Sequence, residues 1–159
     1  MDISKLLLYG FVREKNNEVK GKSDNPVKVP YELNNLFQII YLLIKIRGTE
    51  KVRRFFPHEP KDFEPVLFAL ASHANDNSVP WESNYVLLIW LSLILLMPFN
   101  LKILDSEISS HFFQSTKENT TDIVRVIIDV CKLFINSTTR TTSAAGICLG
   151  RLFTRDDVK

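Results

Sequence analysis

YVLLIWLSLILLM, Tyr85 to Met97, carries no charge, one serine at Ser92, and a proline directly after it at Pro98. A helix crossing a bilayer needs about 20 mostly apolar residues, because the hydrocarbon core is about 30 Å thick. This run is too short, and Pro98 blocks its extension. It lies in mid-chain, which excludes a signal peptide. The remaining reading is a helix that is apolar around most of its circumference and buried inside protein. Burying its roughly eleven large apolar side chains is worth on the order of 15–30 kcal/mol gross. Such a surface has to be covered by neighbouring elements.

Upstream of the run, the loop HANDNS (His73 to Ser78) leads to Pro80, which opens the helix as proline does at a first turn. Before that loop, Phe63, Val66, Leu67 and Leu70 repeat at helical spacing from a start near Pro60. Earlier still, Leu33, Leu36, Phe37, Ile40, Leu43 and Ile44 define an amphipathic helix with Gly48 as its stop. Thr49 is placed to cap a short helix that turns Val52, Phe55 and Phe56 to one face and ends at Pro57. Downstream, Asp122 to Ile135 is rich in Val and Ile, a β-prone composition. Its length favours helix, as does the placing of Arg125, Asp129 and Lys132 four and three apart. Thr120 or Thr121 is its expected cap. A last helix shows Ala145, Cys148, Leu149 and Leu152 on one face, after a polar loop over Asn136 to Ser143.

The sequence therefore predicts an all-α fold of helix pairs joined by tight proline or glycine turns. With no strict sequence period, this is an irregular HEAT or armadillo-type α-solenoid. Residues 1–30 read as an N-terminal helix and a flexible linker, since Asn16 to Pro30 mixes Gly, Pro, Ser and charges. Residues 31–159 read as a helical-repeat segment of a longer solenoid.

The chain has 159 residues, 45% hydrophobic and 24% charged, with a net charge of +2. That charge is too small to point to nucleic acid or anionic lipid. The two cysteines, Cys131 and Cys148, form neither a disulfide framework nor a metal motif. Both are expected reduced, in a cytoplasmic protein, on apolar helix faces. Glycine-rich phosphate loops, GxSxG and HExxH are absent from the sequence. His58, His73 and His111 stand in separate segments and read as surface or turn residues. Asp62 and Glu64 flank Phe63 and diverge on a helix. No catalytic residue, cofactor site or metal site emerges, and the expectation is a protein-binding module without enzymatic activity. Asn119 and Asn136 match the glycosylation pattern by chance. The densest basic cluster is Lys51, Arg53 and Arg54 beside Phe55 and Phe56. It is either a surface for an acidic partner or a solvated helix face with its aromatics turned inward. Trp81, at a helix start, is either an interface anchor or a staple onto its own helix.

Several stretches resemble the N-terminal part of the tubulin-folding cofactor D family, also called tubulin-specific chaperone D. They are IIYLLIKIRG (Ile39 to Gly48), RRFFPHE (Arg53 to Glu59), D-x-EPVL (Asp62 to Leu67), WESNYVLLIWLS (Trp81 to Ser92), PFNLKILD (Pro98 to Asp105) and RLFTRDDVK (Arg151 to Lys159). The resemblance implies a HEAT/armadillo solenoid that captures β-tubulin. It further implies work with companion cofactors C and E and an Arf-like small GTPase to assemble or take apart the α/β-tubulin heterodimer. Family members are many times longer, so this chain reads as a fragment or a truncated product. The resemblance carries over no catalytic residues. An unrelated HEAT/armadillo adaptor for other proteins is the competing reading.

Overall fold

A computed structural model describes residues 31–57, 59–74, 76, 78–101 and 123–158. Among them are six α-helices and no strand: α1 (Tyr31–Arg47), α2 (Thr49–Val52), α3 (Phe63–His73), α4 (Trp81–Ile94), α5 (Ile123–Ile135) and α6 (Thr141–Phe153). Two single-turn 3₁₀ segments, Arg53–Phe55 and Pro60–Asp62, join α2 to α3. The expected N-terminal helix and linker over 1–30, the Thr120 or Thr121 cap, His58, His111 and Asn119 lie outside the described residues.

Helix α4 is the axis of the molecule. It packs against α1, α3 and α6, and α5 closes the far side through α6 and α3. From Ser83 to Leu95 only Tyr85 is less than fully buried. Leu87 and Leu95 are 0% and 1% exposed, and Trp90 is 1%. From Val86 to Leu95 the apolar run therefore meets protein on all sides, as its composition requires, and it emerges only at Leu96, 49% exposed.

Apolar packing is nearly indifferent to rotation and sliding, whereas hydrogen bonds are directional. Four polar side chains of α4 bond to four different places. Ser83 Oγ donates to Asn34 Oδ1 of α1 at 2.9 Å. Asn84 Oδ1 accepts from His73 Nδ1 of α3 at 2.8 Å. Trp90 Nε1 donates to the carbonyl of Pro57, and its ring lies 5.9 Å from that of Phe56. Ser92 Oγ accepts from Arg151 Nη1 of α6 at 2.8 Å and donates back to Ile89 O within its own helix. Each neighbour is thus pinned at one height along the central helix.

The turns follow local chemistry, with some boundaries displaced from expectation. Gly48 takes φ 80°, the one positive φ at a glycine among the described residues, and its N–H bonds Ile44 O at 2.8 Å. This left-handed conformation reverses the chain without a Cβ clash. It makes Gly48 the flanking residue and Thr49 the first residue of α2, where Thr49 makes no capping bond. Pro80 likewise precedes α4 instead of lying inside it. The 3₁₀ turn at Pro60 is held by a box: Glu59 N–H donates to Asp62 Oδ2 at 3.2 Å. The polar loop expected over 136–143 is shorter, because α6 begins at Thr141. Hydroxyls of Ser137, Thr139 and Thr141 bond in series at 2.8 and 2.7 Å, satisfying one another across a tight turn.

His73 differs most from expectation. It is 4% exposed, not a surface or turn residue. As the last residue of α3 it is turned inward onto α4, where Asn84 accepts its Nδ1 proton. Its Nε2 has no hydrogen-bond partner among the described residues. Burial pulls its pKa below the usual histidine value, so the ring is neutral at pH 7.

Trp90→Asp should unfold the chain, because a carboxylate would enter the dry centre of the stack. Trp90→Phe keeps most of the volume but leaves the Pro57 carbonyl unbonded. It should lower stability by about 1–3 kcal/mol in urea unfolding followed by circular dichroism.

Candidate interaction surfaces

The corner after α1 concentrates charge. Between Lys45 and Pro57 the chain places five cations, Lys45, Arg47, Lys51, Arg53 and Arg54, against one carboxylate, Glu50. All six are exposed. The reason is local: Val52 and Phe56 are the inward residues of this segment, at 7% and 4% exposure. The polar side chains around them therefore have only the outer side to occupy. Glu50 bonds Arg53 Nη1 at 3.2 Å, one turn apart on an exposed face, a contact of small net value in water. Arg151 at the end of α6 lies within electrostatic reach of Glu50 and Arg53, which adds a fourth guanidinium at the flank.

The aromatics at this corner do not both turn inward. Phe56 is buried against Trp90, whereas Phe55 is 78% exposed. A 3₁₀ segment advances about 120° per residue, so adjacent side chains diverge. The chain then becomes extended at Phe56, with φ −76° and ψ 132°. A large ring on the surface among cations is a common element of protein-binding patches, because it supplies apolar contact where charge supplies orientation. Lys51, Arg53 and Arg54 are therefore brought together with Phe55.

Trp81 is elsewhere. Its half-buried ring stands edge-on to Tyr41 of α1 at 4.9 Å, and Tyr41 meets Tyr85 at 5.2 Å. Its ring contact is with the neighbouring helix α1.

A second polar cluster, at the α4–α6 end, went unnoticed in the sequence. The Arg155 guanidinium donates to the carbonyls of Leu95 at 2.6 Å, Met97 at 3.1 Å and Phe99. It also forms a two-pronged pair with Asp157, at 2.8 and 2.9 Å, and lies 4.9 Å from the centre of the Phe99 ring. Asp157 Oδ2 accepts from Leu101 N–H at 3.1 Å. A planar guanidinium suits this task because its five N–H groups reach several acceptors at once. Here it gathers the carbonyls left open where α4 ends before Pro98. Both side chains are largely buried, at 9% and 20% exposure. The Arg155 hydrogen bonds pull the Asp157 carboxyl from 3.8 down to about 2. The cleft beside this cluster has a volume of about 470 Å³ and includes Pro98, Asn100 and Thr154 in its wall. The cluster closes the turn. Its residues fall in or beside the stretches PFNLKILD and RLFTRDDVK, but their meeting was not legible, because Arg155 meets carbonyls some 60 positions earlier in the chain.

Cys131 of α5 and Cys148 of α6 are free and fully buried. The two thiols are neighbours across the α5–α6 contact. The adjacent Cys131 thiol, and then burial, push the Cys148 pKa up, which keeps it a thiol at pH 7. Among the described residues no three His, Cys, Asp or Glu side chains converge as metal ligands, and no helix is long and apolar enough to cross a membrane.

The chain matches the family model for the tubulin-specific chaperone D-like ARM repeat over residues 3–159. It is 29% identical over 124 residues to the tubulin-folding cofactor D of Schizosaccharomyces pombe, which covers 78% of this chain and 10% of that protein. It is 24% identical to the tubulin-specific chaperone D of Dictyostelium discoideum, covering 46% of this chain and 9% of that protein. The chain thus spans about a tenth of the length of these relatives. No solved structure matches.

The Asp157 shift gives an acid-side signature. Its folded pKa is depressed, so its contribution to stability is present above about 4 and is lost as pH falls toward 2. Asp157→Asn should be less stable at pH 7 and show a flatter loss of stability between pH 4 and 2. Thermal melts across that range check both.

Proposed function

The chain belongs to the tubulin-specific chaperone D-like ARM-repeat family, and from that membership we propose that it is a partner-gripping segment of a tubulin-folding chaperone. In this reading it helps hold β-tubulin while the α/β-tubulin heterodimer is assembled or taken apart, with cofactors C and E and an Arf-like small GTPase as companions. The site of action is the cytoplasm. The single observation that carries the reading is a family match running over residues 3–159.

The architecture supports it. A stack of helix pairs offers long, rigid, outward-facing surfaces, which suits gripping a folded protein more than enclosing a small molecule. The gripping surface we assign is the corner of Lys51, Arg53 and Arg54 with Phe55 at its centre. An acidic patch on the partner would meet the cations, and an apolar residue would cover the ring. Trp81 lies apart from this corner and ties α1 to α4 through Tyr41.

Copurification of the tagged chain, expressed within its full-length protein, should bring down β-tubulin and a small GTPase. Recovery of neither, with other proteins in their place, would favour an unrelated ARM-type adaptor. The double variant Lys51→Glu, Arg54→Glu should weaken tubulin capture about tenfold or more and reduce its dependence on salt. Its circular dichroism spectrum should match that of the parent chain, because both side chains are exposed.

A further inference from the structure

Helix α1 is apolar on two opposite sides. Leu33, Phe37, Ile40, Tyr41 and Ile44 face the core. On the other side Ile39, Leu42, Leu43 and Ile46 form a second stripe at i, i+3, i+4 and i+7, exposed by 56%, 51%, 47% and 75%. No other described helix carries such a row. Leu133 is the single large exposed apolar residue of α5, and α6 has Ile147 and Phe153, six residues apart and so on different sides. A helix apolar all round is one with neighbours on both sides.

The charges around the stripe are of one sign. From Leu33 to Arg47 the charged residues are Lys45 and Arg47, both exposed, with no carboxylate among them. At about 100° per residue these two cations flank the stripe on its two sides, at the end nearest Gly48. The other end carries the neutral Asn35.

We propose that the stripe docks an amphipathic helix of a partner protein, acidic in its first turn and lying antiparallel to α1. The four apolar residues form a seam about 100° wide and about 10 Å long, the width that one helix presents to another. Carboxylates are favoured at the N-terminal end of a helix. Lys45 and Arg47 stand at the C-terminal end of α1. The antiparallel direction therefore brings opposite charges together and sets the two helix dipoles against each other. A second copy of this chain does not supply the carboxylates. Paired antiparallel about the stripe, it would bring Lys45 and Arg47 level with Ile40 and Gln38. Paired parallel, it would set each cation beside its like, which is repulsive. The proposal is independent of which protein the α2 corner grips.

The test uses the full chain and a synthetic probe. The probe is a fluorescein-labelled helical peptide about four turns long, with leucines at i, i+3, i+4 and i+7 and glutamates filling its first turn. One control peptide moves the glutamates to the last turn, and a second replaces them with lysines. Fluorescence anisotropy should show saturable binding of the first peptide, about tenfold or more tighter than either control and weakened by salt. Ile46→Glu should abolish that binding, and Lys45→Glu with Arg47→Glu should weaken it about tenfold. Both variants should keep the parent's circular dichroism, because all three side chains are exposed. Leu133→Glu, on α5, should leave the affinity unchanged. Absence of saturable binding, or equal affinity for the three peptides, would overturn the proposal. So would the same loss in Leu133→Glu as in Ile46→Glu. A parent chain that sediments as a dimer, and that Ile46→Glu makes monomeric, would overturn it in favour of a second copy. Binding to vesicles of phosphatidylcholine and phosphatidylserine that Ile46→Glu abolishes, with no binding of the peptide, would overturn it in favour of a membrane surface.

Discussion

The structure depends on the enclosure of α4. From Ser83 to Leu95 this helix has no charged residue and only one position that is not fully buried. Its exposure to water would be untenable, so α1, α3 and α6 are obliged to surround it. Hydrophobic attraction alone would leave their heights and rotations loosely specified, since greasy surfaces slide. The polar atoms of α4 remove that freedom. Ser83, Asn84, Trp90 and Ser92 each bond a different neighbour, and each bond would leave a buried polar group stranded if the register slipped.

The same division separates what holds the array together from what it can offer to others. The Arg155 guanidinium and Asp157 are spent on closing the turn after α4, and their partners are the chain's own carbonyls and the Leu101 N–H. The cations of the α2 corner are different. Lys51 and Arg54 reach into solvent, and Phe55 stands among them. A charged side chain inside the array is therefore an element of stability, and one at the corner is available for a partner. Placement relative to α4, not residue type, decides between the two.

Helical periodicity could be read in the sequence because burial on one side repeats every three to four residues, as at Phe63, Val66, Leu67 and Leu70. The Val- and Ile-rich stretch at 122–135 was legible as helix from its length and from the placing of Arg125, Asp129 and Lys132. Its Lys132 and Asp129 pair at 3.1 Å as neighbours one turn apart. The basic cluster was legible as a cluster, but the divergence of Phe55 from Phe56 was not. It follows from a change of backbone conformation between adjacent residues that composition does not register. His73 was misplaced because a loop-like neighbourhood, HANDNS, concealed that its ring points back to Asn84. Trp81 was ambiguous because its partner Tyr41 is 40 positions away.

By itself, then, the sequence determined that this protein is helical, that Tyr85 to Met97 lies at its centre, and that its resemblance is to the tubulin-folding cofactor D family. These depend on short-range pattern and on residue identity, both of which are written in order along the chain. Only the tertiary structure decided which helix answers each polar atom of α4, and that Arg155 is a clasp while Arg54 is a surface charge. It also decided that α1 is apolar on two opposite sides. Those outcomes depend on directional bonds and on exposure between residues remote in sequence, and neither exists until the helices are stacked.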